Sequence, residues 1–198
     1  MTDTSEETRP RGRPRSETAH AAILSAAIAL LLDQGLNAMS MDDVADRAGV
    51  SKATIYRWWA SKELLALDAL STDWARTTTK QRDTGSLRGD LLAHLRPWIR
   101  QLNEKPYGRV IAGLIAQAQT DPDFATVYRE HFVQPRRDAM RPVLLRAIAR
   151  GEIAADTDLE VTLDLLYGPI YHRFLHRHAP LNDRFTKDVV DAVIKAIS

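Results

Sequence analysis

The chain is 198 residues long and 44% hydrophobic, with a formal net charge of +1 and no cysteine. This length holds one large domain, or a small and a larger one, and the near-neutral charge excludes a surface coated in positive charge, so any nucleic-acid site must come from local clustering. The lack of cysteine excludes a disulfide scaffold, thiolate metal sites and a cysteine nucleophile, and with no apolar leader and no run near the roughly 18 to 20 uninterrupted apolar residues of a membrane span, the reading is a soluble cytoplasmic protein without a membrane partner.

The segment RPRGRPRS, residues 9 to 16, places Arg9, Arg11, Arg13 and Arg15 at every second position. Two prolines and a glycine argue against a helix there, and no apolar side chain is available to join a core. Residues 1–16 are therefore expected to form a disordered basic arm, either a solvated tail or a nucleic-acid contact. From Glu17 onward, Ile23, Ala26, Ala27, Leu30 and Leu31 follow the spacing of one buried helical stripe that ends at Gly35. Ser40 caps a short second helix with Asp42 and Asp43 in its first turn, Ser51 a third from Lys52 to about Trp59, and Ser61 a fourth through Leu70. The polar stretch RTTTKQRDTGS, residues 76–86, marks the start of a second domain. Its helices are expected near 87–103, 106–119, 121–150, 158–178 and 183–197. The expectation is an all-α protein of about nine helices, with a small helical unit over 17–75 and a larger helical domain over 76–198.

The stretch SMDDVADRAGVSKATIYRWWASKELLALDAL has the form of a helix-turn-helix, with Ala45 at a close crossing, Gly49 in the turn, and Val50 and Ile55 closing a small core. Ile55 and Trp59 point inward, which leaves Lys52, Ala53, Tyr56 and Arg57 outside on a face suited to a major groove. Lys52 and Lys62 each follow a serine cap, where the helix dipole disfavours a cation. A polyanion at both positions would account for them, and splaying into water is the blander alternative.

These residues resemble the DNA-binding domain of the TetR family of bacterial transcriptional regulators over roughly residues 17–70, most specifically in VADRAGVSKATIYRWWASKELL. The resemblance implies that the third helix, capped by Ser51, enters the major groove of double-stranded DNA. By position, Lys52 and Ala53 resemble base-facing residues, Thr54, Tyr56 and Lys62 backbone-contacting ones, and Ile55 and Trp59 core. Trp58 departs from the histidine common there, although an indole N–H can still donate to a phosphate. RGRP in the arm also resembles minor-groove hooks for A·T-rich DNA.

In the second domain, Trp98, Leu102, Tyr107, Ile111, Leu114, Phe124, Tyr128, Phe132, Tyr167 and Tyr171 place apolar groups on several helices. They suit either plain core or the lining of a cavity for an unidentified apolar effector. The last two helices are apolar on more than one side, which predicts a four-helix interface between two copies through Ile170, Phe174, Val190, Val193, Ile194 and Ile197. In the family this pair makes the dimer, and a two-fold dimer matches a palindromic operator. HRFLHRH, residues 172–178, invites a metal reading, but a basic helix end accounts for it as well. No metal, cofactor or catalytic set is expected. The function expected is a homodimeric, ligand-released repressor, the alternatives being an architectural DNA binder and an enzyme built on the histidines.

Overall fold

The structure is a computed structural model that describes residues 13–77 and 82–197, with backbone alone for 13–15, 76, 77 and 105. The described residues are all-helical, in the order α1 (Arg13–Gln34), α2 (Met41–Ala48), α3 (Lys52–Tyr56), α4 (Lys62–Thr77), α5 (Leu87–Asn103), α6 (Lys105–Thr120), α7 (Pro122–Tyr128), a π-helical segment (Arg129–Val133), α8 (Gln134–Ala149), α9 (Leu159–His176) and α10 (Asp183–Ile197). Because α7, the π segment and α8 run on without a break, they form the single long helix expected over 121–150, now with a π bulge inside it.

Helix α1 begins at Arg13, ahead of the expected Glu17. Pro14 is tolerated because a first-turn residue has no intrahelical partner for the N–H that proline lacks. At the other end of the domain, α4 reaches Thr77, so the break drawn after residue 75 falls in its last turn.

Burial follows the apolar stripes. Ile23, Ala27, Leu31, Val44, Ile55, Leu65 and Leu70 are fully inside where α1 packs on α2 and α4. By length and composition Ser16–Gln34 would pass for a membrane span, but Ile23, Ala27 and Leu31 spend its apolar side on this core. In the second unit α5 is central, packed on α6, α8 and α10, while α9 lies against α8 and α10. The two units meet where α6 packs on α1 and the π segment on α4. Ser71 of α4 donates there to the His131 carbonyl at 2.9 Å, so one polar contact ties the connecting helix to the bulge.

Candidate nucleic-acid interface and sensing cavity

The reading head is fixed by its caps. Ser40 closes a capping box on α2: its hydroxyl accepts from the Asp43 N–H at 3.1 Å, and the Asp43 carboxylate accepts from the Ser40 N–H at 3.2 Å. Gly49, at φ +66°, ends α2 in the left-handed region that a side chain would strain. The Val50 N–H then bonds to the Ala45 carbonyl at 3.0 Å. Ser51 caps α3 through the Thr54 N–H at 3.2 Å. The α-helix stops at Tyr56, short of the expected Trp59, although the Trp58 and Trp59 N–H groups still bond to the Ile55 carbonyl at 2.9 and 3.1 Å.

This geometry turns Ile55 and Trp59 inward, and the Trp59 indole donates to Asp68 at 3.0 Å. Ser51, Lys52, Ala53, Tyr56 and Arg57 are exposed, while Thr54 and Trp58 are half-buried. Tyr56 is 49% exposed, an unusual display for a large aromatic side chain. Trp58 packs edge-on against His20 of α1 at 5.4 Å between ring centres, so part of its indole belongs to the core. Arg9 and Arg11 lie outside the described residues, and the side chains of Arg13 and Arg15, in the first turn of α1, are likewise outside them.

The two lysines have partners within the fold. Lys52 pairs with Asp42 of α2 at 3.0 Å on the surface, and that hydrogen bond, with the carboxylate's charge, holds its pKa above the ordinary value. Lys62 is held by the loop after α1: its Nζ donates to the carbonyls of Leu36, Asn37 and Met39 at 3.2, 3.3 and 3.5 Å. These carbonyls offer a second account of a cation at the start of α4, beside the phosphate contact that the family resemblance implies.

A cavity of about 940 Å³ lies among α5, α8 and α9, with Trp74 of α4 in its wall. Of the expected lining residues Trp98, Tyr167 and Tyr171 face it, with Trp98 edge-on to both tyrosines at 5.5 and 5.4 Å. Leu102, Tyr107, Ile111, Leu114, Phe124, Tyr128 and Phe132 are instead buried in the core. The reason is geometric: Phe124, Tyr128 and Phe132 stack on one another down a single helical face at 6.3 and 5.1 Å, which uses up that face.

Sequence reading missed the polar members of the wall, among them His94 and Arg136, which lie deepest in the packing. Both sit within apolar stripes, His94 between Leu91 and Trp98, and Arg136 between Phe132 and Met140; a polar residue in a core register was the available signal. His94 Nε2 is 3.1 Å from the Tyr167 hydroxyl, and burial, aided by the charge of Arg136, lowers its pKa to about 4. Burial also raises the tyrosines around the guanidinium, Tyr171 to about 12, so they stay neutral.

The surface of the last two helices also corrects the sequence reading. Ile170, Val190 and Val193 are buried within the chain itself, and Phe174, Ile194 and Ile197 are half-buried against the same core. The apolar groups left outward on α9 are Val161, Leu165 and Leu175, at helical spacing with Gly168 and His172. The His172 ring lies 4.6 Å from that of His176 and 5.1 Å from that of His178. Among the described residues, however, no three His, Cys, Asp or Glu side chains are grouped to hold a metal ion.

An exposed, serine-capped third helix behind a glycine turn, carried on an all-helical body, defines a helix-turn-helix DNA-binding transcriptional regulator. The chain belongs to the TetR family: residues 23–69 match the family model for bacterial regulatory proteins of the tetR family, and residues 81–193 the tetracyclin repressor-like C-terminal domain. It is 43% identical to the uncharacterized HTH-type transcriptional regulator YdeS of Bacillus subtilis over 94% of this chain and 93% of that one. It is 34% identical to a DNA-binding transcriptional repressor TetR of Mycobacteroides abscessus over 91% of this chain and 94% of its relative. The crystal structure of the TetR family transcription regulator SCO0332 superposes with a TM-score of 0.82 at 38% identity, covering 91% of this chain and 98% of that one. Members of this family are regulators of transcription.

Proposed function

We propose that the protein is a homodimeric, cytoplasmic repressor that binds a palindromic operator and is released from it by a small molecule with a large apolar body. The observation that carries the ligand response is the position of Trp74, which belongs to α4 of the DNA-binding unit and yet lines the cavity of the second domain. Anything seated there touches the helix whose first turn, through Lys62, is tied to the loop that orients α2. An effector that prefers the arrangement with wrongly spaced heads weakens DNA binding by its differential affinity, and DNA weakens effector binding reciprocally. The exposed side chains Val161, Leu165 and Leu175 of α9 support pairing of two copies through that face. Repression is supported by the repressor of Mycobacteroides abscessus, which is similar over nearly the whole chain.

Footprinting of the purified full-length protein on fragments of the host genome tests this function. A few palindromic sites, each with half-sites about a helical turn or a multiple of it apart, are the expected result. Broad coverage of A·T-rich DNA without palindromes would replace the regulator with an architectural DNA binder.

A further inference from the structure

Arg136 is a buried arginine, 6% exposed as a residue, in the wall of the cavity, with no ion-pair partner among the described residues. Its Nη1 donates to the Phe132 carbonyl at 2.7 Å, and its plane lies over the Phe132 ring at 3.5 Å and beside Trp74 at 4.6 Å. Within ordinary hydrogen-bond geometry its Nε and Nη2 have no partner among the described residues, although the Tyr107 hydroxyl lies close enough to interact with the guanidinium. A buried charge without a counter-ion is costly, and removal of water from two N–H donors adds to that cost.

The two unpaired groups are not a random pair. Nε and Nη2 form one edge of the guanidinium, the edge that fits the two oxygens of a carboxylate side-on. The same protein uses that edge twice elsewhere. Arg88 grips Asp191 through Nε and Nη2 at 2.7 and 3.0 Å, and Arg96 grips Asp183 the same way at 2.6 and 3.4 Å. At Arg136 the described residues supply no such carboxylate. Of the two acidic residues of the wall, Asp164 is committed to Arg137 at 2.6 Å and Glu104 is exposed and makes no ion pair with Arg136. Arginine stays cationic even when burial lowers its pKa, and the neighbouring tyrosines and His94 supply no negative charge.

We propose that the effector is a carboxylic acid, bound as its anion, with the carboxylate held by Nε and Nη2 of Arg136 and the apolar body against Trp98, Tyr167 and Tyr171. This rests on the ligand-responsive reading above and narrows it from an apolar molecule to an amphipathic anion. The hydroxyl of Tyr107, buried behind the wall and without a partner of ordinary geometry among the described residues, interacts with the same guanidinium and is neutral, so it leaves the charge uncompensated. Neutralising Arg136 would be felt at once by Trp74, because the guanidinium lies against its ring.

The experiment uses the full-length protein with benzoate, phenylacetate, octanoate and decanoate, each beside its primary amide, and phenyl phosphate as a different anion. Binding is read by thermal shift and by quenching of the cavity tryptophans. At least one carboxylate is expected to bind at least about tenfold more tightly than its amide. Arg136→Met is expected to lose on the order of 100-fold in carboxylate affinity while leaving amide binding within about threefold; Arg136→Lys, which keeps the charge but loses the fork, is expected to fall between and guards against a misfolded methionine variant. Amides that bind as well as acids, or full carboxylate affinity in both variants, would overturn the carboxylate assignment and leave a ligand-responsive regulator. Preference for phenyl phosphate would overturn it in favour of a phosphate ester. If no carboxylate binds the wild-type protein, the assignment fails, and if no amide binds either, the support for a sensing cavity fails with it.

Discussion

The ammonium of Lys62 donates to the carbonyl of Leu36 at 3.2 Å, across 26 positions of chain. With Asn37 and Met39 as further acceptors, the first residue of α4 gathers the polypeptide that leaves α1 just before α2 begins. The side chain that sequence position assigns to DNA is thus a structural clamp in the free protein. Lys62→Met is expected to destabilise the folded chain by about 1–2 kcal/mol, since carbonyls lose a charged donor in a partly buried place. Urea unfolding followed by tryptophan fluorescence reads the loss. A variant as stable as wild type would return Lys62 to a purely DNA-facing role.

These partners of Lys62 show what sequence could and could not reveal. Helix boundaries set by serine caps and glycine stops, such as Ser40, Gly49, Ser51 and Ser61, were legible because the capping chemistry is local. So was the outward face of α3, since Ile55 and Trp59 define its opposite side. The partners of Lys62 were not legible, because an aligned dipole and a distant carbonyl make the same local pattern. Nor was the cavity wall: Leu114 and Tyr171 look alike as apolar positions, and only the packing of α5, α8 and α9 decides which one meets open space.

Tyr56 presents half its surface outward from α3, with its backbone held by the helix and its ring free of the core. Tyr56→Ala is therefore expected to leave unfolding unchanged and to cost about tenfold or more in operator affinity. Lys52→Ala, which removes only a surface pair with Asp42, is expected to flatten the salt dependence of binding by about 0.9 per subunit if Lys52 reaches a phosphate. Gel-shift titrations at several salt concentrations separate the two effects. Wild-type affinity in both variants would move the docking face elsewhere.

The outward face of α9 predicts where the two-fold contact lies. Leu165 is 42% exposed, so Leu165→Asp is expected to leave the protomer folded and to weaken self-association on the order of 100-fold, since a charge would enter an apolar contact. Ile194→Asp is expected to behave differently, because Ile194 packs partly against its own core and would lower stability before it affected assembly. Light scattering with a parallel melting curve distinguishes these outcomes. A Leu165→Asp protein that stays dimeric at micromolar concentration would place the contact on another surface.

Acid should weaken the fold in two stages. The folded pKa of His94 is lowered to about 4 by burial and the Arg136 charge, so the native state refuses a proton that the unfolded chain takes up near its ordinary 6.5. Stability therefore falls as the pH drops from about 6.5 towards 4. At Asp90 burial raises the pKa, but the Thr84 N–H and hydroxyl at 2.6 and 2.7 Å, with Arg150 and Arg146, outweigh it and the net shift is downward. Asp183 is lowered to about 2 by the hydrogen bonds from Arg96 and Lys187. These carboxylates contribute stability above about pH 4 that is lost as they protonate on the way to pH 2. Urea midpoints across pH 7 to 2 should show both limbs, and His94→Gln should remove the earlier one. A single limb below pH 4 in the wild-type protein would show that His94 titrates normally.

The arm that precedes the helix carries two of the four arginines, because α1 already begins at Arg13. Deleting residues 1–12 removes Arg9 and Arg11 and leaves the helix that carries Ile23, Ala27 and Leu31 intact. In a dimer that is four cations. Release of counterions gives a slope of about −0.9 per phosphate neutralised in log affinity against log salt, so the slope should fall by up to about 3.6 if each arginine engages a phosphate, and by about 1–2 if the arms engage only part of the time. The truncated protein should keep its preference among half-sites, since Lys52, Ala53 and Tyr56 remain exposed on α3, the proposed docking face, and should lose any preference for A·T-rich flanks, where a narrow minor groove attracts arginine. Affinity measured between low and physiological salt on operators with A·T-rich and G·C-rich flanks reads both effects at once. An unchanged slope, with the same flank preference, would make the arm a solvated tail.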